Sequence, residues 1–348
     1  MTERCWGSIQ NKKAFTLVEL LTVVAIIALL IGILVPALSR ARTQAKIGAT
    51  RAILKAMGDG LDLFRNENPE ECRSGEGYPS SAWSDDPTEE DEQNICGAQW
   101  LVRYLMGKTL DGYIPRRNVP RAIRDQGPVN WEQEHWYEDF SITRVGPYLP
   151  QDRVEIKRPI ELLGFDAMTS QGQIYTDENA AMHQPLFIDV FDYPILYYAA
   201  NSAMYRRSKT SASLAGCVES TAAGSDDIIG IYTHADNGLI TGLQNSGSNP
   251  NMPTWPISLT VASANGGLQE FGTWSSGGWP IEPKDFLDPD NRFTFPNYIL
   301  NKTVYENTKK ADDGTDATVT PYRPDSFLLI SPGPDGVYGN EDDVNNFN

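Results

Sequence analysis

One carboxylate, Glu19, stands inside a run that is almost entirely apolar from Phe15 to Leu38. A charge in hydrocarbon is costly, so an acid placed there is partnered or functional. A second set of acids lies at the other end, where Asp335, Asp342 and Asp343 surround a glycine-containing loop in "DSFLLISPGPDGVYGNEDDVNNFN". A tight curl of that loop can converge several carboxylate and carbonyl oxygens on one point, and hard oxygen ligands in a flexible loop suit calcium at about 2.3–2.6 Å. The spacing is not that of an EF-hand, and a solvated acidic tail with Asx turns is the plainer alternative.

Catalytic chemistry finds less support. His135, His183 and His234 are the only histidines, with no HExxH, and the chain has no GxSxG or GxGxxG. "MGKT" at Met106–Thr109 echoes a phosphate loop, but Val102 stands where its first glycine belongs. Cys5, Cys72, Cys96 and Cys217 form no CxxC, which excludes a zinc finger; Cys72 and Cys96 can close a loop if the body lies outside the cytoplasm. Trp83, Trp100, Trp131 and Trp136 are read as packing residues before glycan platforms. With 46 acids against 29 Lys and Arg and a net charge of -17, the body is not expected to bind nucleic acid.

These groups need elements to hold them. Leu20 to Ser39 is twenty uncharged residues, enough at about 1.5 Å per residue to cross a hydrocarbon core of about 30 Å. It reads as a transmembrane helix, or as a secretory signal with Lys12 and Lys13 as basic region and a cut after Ser39. Ile47, Leu54, Met57, Leu61 and Phe64 recur at helical spacing and continue the helix as an amphipathic half that ends near Asn66–Pro69. That apolar face requires a sheet. Gln99–Tyr113 is the next predicted helix, and Pro185–Ser202 reads as two strands about a turn at Phe191–Pro194. Further strands are expected at 228–233, 257–262, 293–300 and Asp325–Ile330, within or after a Gly/Ser/Asn-rich insertion at about 203–320.

Lys12-Lys13-Ala14 followed by "FTLVELL", with Pro36 downstream, resembles the leader of type IV pilin-like proteins. The resemblance covers residues 12 to about 40 and implies cleavage between Ala14 and Phe15, methylation of the new Phe15 amine, an assembly role for Glu19 and a helix-bending role for Pro36. Ala14 departs from the glycine that usually precedes the cut. Arg40, Arg42, Lys46, Arg51 and Lys55 would by themselves put that flank in the cytoplasm; the leader resemblance implies the opposite, with Lys12 and Lys13 inside and the body exported.

The stretch at Asp189–Pro194 is similar to one in pseudopilins that leads into the central sheet; it implies Asp189 as a turn-shaping acid, with Asp192 in place of the usual glycine. The C-terminal "GPDG…G…DD" resembles the calcium loop of major pseudopilins of type II secretion. It implies Asp335, Asp342 and Asp343 as side-chain ligands, with backbone oxygens near Ser331 and Val337. The expected architecture is α+β and pilin-like: leader 1–14, helix 15–68 with its transmembrane half at 15–38, and a globular body 69–348 packed on an antiparallel sheet. The implied function is a non-enzymatic filament subunit, a type II secretion pseudopilin, anchored in the inner membrane by a single pass with its body in the periplasm. Its implied partners are prepilin peptidase, further copies and other pseudopilins. The rivals are an adhesion or DNA-uptake pilin and a membrane-anchored glycan-binding or hydrolytic protein.

Overall fold

The computed structural model describes residues 17–72, 77–81, 95–107, 109–118, 143–163, 184–201, 231–232, 234–237, 240, 295–308, 320–336, 338–339 and 341–347. The chain forms two compact units, Met1–Lys46 and Ile47–Asn348. Helix α1 (Leu17–Glu67) runs without interruption through the described part of the first unit and into the second, with Pro36 inside it. Proline removes one backbone donor and crowds the preceding turn, so this position is the weakest point of the apolar half.

In the second unit the predicted stripe is the buried one. Leu54, Met57, Leu61 and Phe64 are almost fully buried, and Ile47 packs partly against the same cluster. Each such side chain contributes about 1.5–3 kcal/mol on burial, which is what holds this end of the helix to the body. Phe64 anchors an aromatic group, with ring centroids 5.2 Å from Tyr104, 4.9 Å from Tyr113 and 5.7 Å from Tyr148. The helix stops after Glu67, where buried Asn68 precedes a 3-10 turn opened by Pro69.

The elements that follow are α2 (Gly97–Met106), β1 (Glu155–Lys157), α3 (Pro159–Leu163), β2 (Leu186–Ile188), β3 (Leu196–Ala199), α4 (Phe295–Ile299), α5 (Lys302–Thr308), β4 (Phe327–Ser331) and β5 (Val344–Asn345). β1 pairs with β2, and β3-β4-β5 form a second sheet; both are antiparallel. The architecture is α+β.

Alternation along β3 and β4 assigns their two faces. Tyr197, Ala199, Phe327 and Leu329 join the cluster beneath α1 and α2, while Leu196, Tyr198, Leu328 and Ile330 join a second cluster with Ile231, Tyr232, Phe295 and Ile299. The central sheet is therefore covered on both faces.

Several expectations are corrected in detail. The helix predicted to Tyr113 ends at Met106, because Gly107 takes a left-handed φ of 79° and Tyr113 instead bridges Val145. The strand predicted at 293–300 is helical from Phe295 to Ile299, with only Leu300 bridging Pro321. Phe295 and Ile299 are four residues apart, so a helical turn places both in the second cluster, and Pro296 is tolerated in a first turn. Of 228–233, the described Ile231 and Tyr232 form a buried bend rather than a strand, and 257–262 lies outside the described residues. The two strands around Phe191–Pro194 are present, yet they belong to different sheets and touch through a single bridge, Ile188 to Pro194.

The suggested closure of Cys72 onto Cys96 is also corrected. Both are free buried thiols, Cys72 in the cluster under α1 and Cys96 in the cluster on the opposite face of the sheet. Burial pushes the Cys72 thiol up to about 11 and the Cys96 thiol up to about 12. Thiolate is the reactive form, so at pH 8 neither should react with a thiol reagent in the folded protein. Titration before and after denaturation checks this; a Cys72–Cys96 disulfide peptide in a digest of the native protein would reject it.

Candidate functional site

Two regions gather the residues singled out by sequence. The first is the apolar half of α1. Among the described residues, every exposed large apolar side chain except Leu63 lies between Leu17 and Leu38, from Leu17 at 78% exposure to Val23 at 47%. The mean hydropathy of its most apolar window is 2.9, and none of that window is buried. It is the one helix among the described residues long and apolar enough to cross a membrane. Glu19 sits in the first turn, where the helix dipole favours an anion, and its backbone carbonyl accepts the Thr22 hydroxyl at 3.0 Å. Ala14 and Phe15 lie outside the described residues.

The second region is the connection from β4 to β5, locked onto the turn between β2 and β3. Asp189, 1% exposed, organises that turn: its Oδ1 accepts the backbone N–H of Phe191 at 2.8 Å and of Tyr193 at 2.9 Å. Its Oδ2 accepts the Ser331 hydroxyl at 2.5 Å, which fastens the end of β4 to the same carboxylate. Burial raises the Asp189 carboxyl above the usual range, and these three donors oppose the rise by favouring the anion. Asp192 occupies the turn with φ 71°, a left-handed position that Asp tolerates better than most residues, and its carboxylate pairs with Lys157 at 2.8 Å.

The loop after β4 closes tightly. At Gly333 (φ 68°) a Cβ would stand 2.3 Å from the Asp342 carbonyl oxygen, and at Gly336 (φ 75°) one would stand 2.3 Å from the Tyr193 ring. Tyr338 donates its hydroxyl to the Pro194 carbonyl at 2.6 Å.

Asp335 and Asp342 are exposed neighbours; burial of part of the group, then the Asp335 charge, raise the Asp342 carboxyl. Asp343 turns inward. Its Oδ2 accepts the Gly339 N–H at 2.8 Å, while Oδ1 is buried with no hydrogen-bond partner. Burial pushes this carboxyl up to about 7, with Asp342 and Asp335 adding to the rise and the Gly339 N–H and the adjoining Tyr298 hydroxyl opposing it.

Among the described residues no three Asp, Glu, His or Cys side chains are placed to hold a metal ion together. Asp335 and Asp342 interact as an exposed pair, while Asp343 engages the Gly339 N–H. Ser331 contributes its side chain to Asp189, and Val337 lies outside the described residues. Tyr193, Tyr298 and Tyr338 were not singled out by sequence; only the left-handed glycines at 333 and 336 signal that something packs closely there.

Residues 9–35 match the prokaryotic N-terminal methylation motif. The chain carries a type IV pilin-type leader. No curated protein and no solved structure matches it. The prepilin-type motif implies processing by prepilin peptidase and points to assembly with other pilin-like subunits. Together with the exposed apolar helix it points to membrane anchoring. A long N-terminal helix together with small antiparallel sheets is consistent with a pilin-like fold.

Proposed function

We propose that the protein is a filament subunit of a secretion-type system, a large pseudopilin of the type II class, anchored by one pass in the inner membrane with its body in the periplasm until assembly. The observation that carries this reading is the conjunction of the leader match at 9–35 with an apolar helical surface, Leu17–Leu38, that holds an acid in its first turn. Backbone groups in such a helix are satisfied internally, so it can pass from lipid into a bundle of like helices without exposing unpaired donors.

Cleavage before Phe15 creates a cationic amine, and methylation keeps the charge. Glu19 of one copy then meets the Phe15 amine of the next, each compensating the other in a low-dielectric interior. Loss of residues 1–14 removes Glu3, Arg4, Lys12 and Lys13, a net +2, which takes the side-chain charge from -17 to -19.

The tilt towards secretion, over adhesion or DNA uptake, rests on the C-terminal loop, where Asp335, Asp342 and Asp343 would hold calcium. The cation would supply positive charge at carboxylates that otherwise repel. The acidity of the chain disfavours direct DNA contact.

Intact-mass and N-terminal peptide analysis of the protein from its host membrane tests the reading. An N-methylated chain beginning at Phe15 is expected; a chain beginning after Ser39 would make the segment a signal peptide and remove the filament role.

A further inference from the structure

We infer that the groove between α1 and the edge strand β5 binds a phosphate monoester whose alcohol part carries an ammonium group, the chemistry of phosphoethanolamine. The inference does not depend on the filament reading above. The groove encloses about 260 Å³. One wall is α1, which contributes Arg51, Lys55, Asp59 and Asp62; the facing wall carries Arg323 and Asn346.

Its cations are uncommitted. Among the described residues Arg51, Lys55 and Arg323 take part in no ion pair. Arg323 is held in place by other means: it donates to the Asn346 carbonyl at 3.1 Å and to the Ser326 hydroxyl at 3.3 Å, and its guanidinium carbon stands 4.9 Å from the centre of the Phe327 ring. These two bonds leave donors of the guanidinium fork to spare. A guanidinium so fixed loses little freedom when it grips an oxyanion. Of the two acids, Asp62 accepts the Tyr78 hydroxyl at 2.5 Å, whereas Asp59 has no partner among the described residues. Lys55 and Asp59 stand at the four-residue spacing that usually joins opposite charges, yet they form no pair. Gly58 lies between them in the chain, and a Cβ there would meet the Phe327 ring at 3.5 Å, so its missing side chain leaves the groove open down to that ring.

The charges select the ligand. In a chain with 46 acids against 29 Lys and Arg, three unpaired basic side chains around one groove reverse the overall charge locally. A lone carboxylate would leave two of them unmatched, whereas a phosphate monoester carries about -1.5 to -2 at pH 7 and three acceptor oxygens. The arginine forks suit two of those oxygens at a time, and Lys55 adds a mobile point charge. In a phospholipid the phosphate is a diester with a single charge, which fits three cations less well. Asp59 stands about 6 Å beyond Lys55 along the helix and would repel a bare phosphate. An ammonium group on the same ligand turns that repulsion into a charge-assisted hydrogen bond.

Calorimetric titration of O-phosphoethanolamine into the full-length protein in non-ionic detergent tests the assignment. One molecule should bind per chain, more tightly than inorganic phosphate and more tightly than phosphocholine, which has no ammonium N–H to donate. Arg51→Gln with Lys55→Gln should weaken binding by about tenfold or more with unchanged melting, since both positions are exposed. Asp59→Asn should weaken O-phosphoethanolamine by about fivefold and leave inorganic phosphate no weaker, a split that a general loss of structure would not produce. Absence of binding, or binding indifferent to the double variant, would overturn the site; equal weakening of both probes by Asp59→Asn would overturn the ammonium contact. The titration is then repeated with protein reconstituted in phosphatidylcholine vesicles and in phosphatidylethanolamine vesicles. Equal binding in the two is expected; loss of binding in the second would overturn the monoester and assign the groove to a lipid headgroup.

Discussion

A Glu19→Ala precursor should insert in membrane and fold its body as the wild type does, yet enter filaments at less than about a hundredth of the wild-type level. Insertion is not impaired because the substitution removes the one acid from the apolar run. Assembly is impaired because each Phe15 amine would enter the helix bundle with no anion beside it. Stranding one member of a buried ion pair costs about 3–5 kcal/mol, and about 1.4 kcal/mol is already tenfold in an equilibrium. A competing explanation is that Glu19 merely complements the N-terminal end of the α1 dipole. That effect is about 0.3–1 kcal/mol at an exposed position and cannot produce a hundredfold loss. Glu19→Gln separates the two further, since it keeps a hydrogen-bonding group without the charge. The measurement is the ratio of sedimentable polymer to membrane-bound monomer after leader cleavage; normal incorporation of the alanine variant would refute the pairing.

The parts of this fold that could be read in advance are those where one residue type repeats at a fixed period. Leu54, Met57, Leu61 and Phe64 share a helical face and are buried together because the period of the helix allows nothing else. Asp189 was legible for a different reason: an acid before a tight turn has backbone N–H groups within reach of its own carboxylate. Short apolar runs carried no such mark. The run ending at Leu300 can be strand or helix with equal hydrophobicity, and contact with the second cluster decides for helix. Strand existence at 186–188 and 196–199 was legible, while the choice of partner depends on distant residues, Glu155 opposite Ile188 for the first and Leu196 opposite Ile330 for the second.

Isolated buried polar residues were least legible. Asn237 accepts the Ala98 N–H at 2.8 Å and donates to the Tyr197 carbonyl at 2.8 Å, which ties the start of α2 to β3. Ser81 hydrogen-bonds the buried Asp236 and accepts the Ala199 N–H at 2.8 Å. Both partners, Asp236 and Asn237, come from a stretch that looks like surface decoration by composition. A single polar side chain has no periodicity, so only the three-dimensional arrangement assigns its donors and acceptors. The C-terminal loop falls between these cases: its glycines and acids announce a tight acidic turn, but the inward orientation of Asp343, with the Tyr298 hydroxyl beside it, is encoded by no local pattern.

That orientation should make stability depend on pH, and the calcium proposed for the loop should add a dependence on the cation. Asp343 holds its proton in the folded chain up to about pH 7, whereas in the unfolded chain it releases it near 3.9. Between those values the folded state binds more protons, so stability falls as pH rises through the window and levels off above it. A shift of about three pKa units corresponds to roughly 4 kcal/mol, an upper figure for a group that relaxation and water can partly relieve. In chelator, the melting temperature should therefore decline from pH 4 to pH 7, and Asp343→Asn should flatten the decline. The variant is needed as reference because general repulsion in so acidic a chain also grows as carboxylates ionise. Calcium favours the ionised carboxylates, so its stabilisation should be small at pH 5 and large at pH 8, reaching about 2.7 kcal/mol at a hundredfold excess over Kd. Asp342→Ala should lose most of that gain, because it removes half of the exposed pair while leaving Asp343 in place. Equal melting with calcium and with chelator at pH 8 would eliminate the cation from the C-terminal loop; a pH slope undiminished in Asp343→Asn would remove Asp343 as its source.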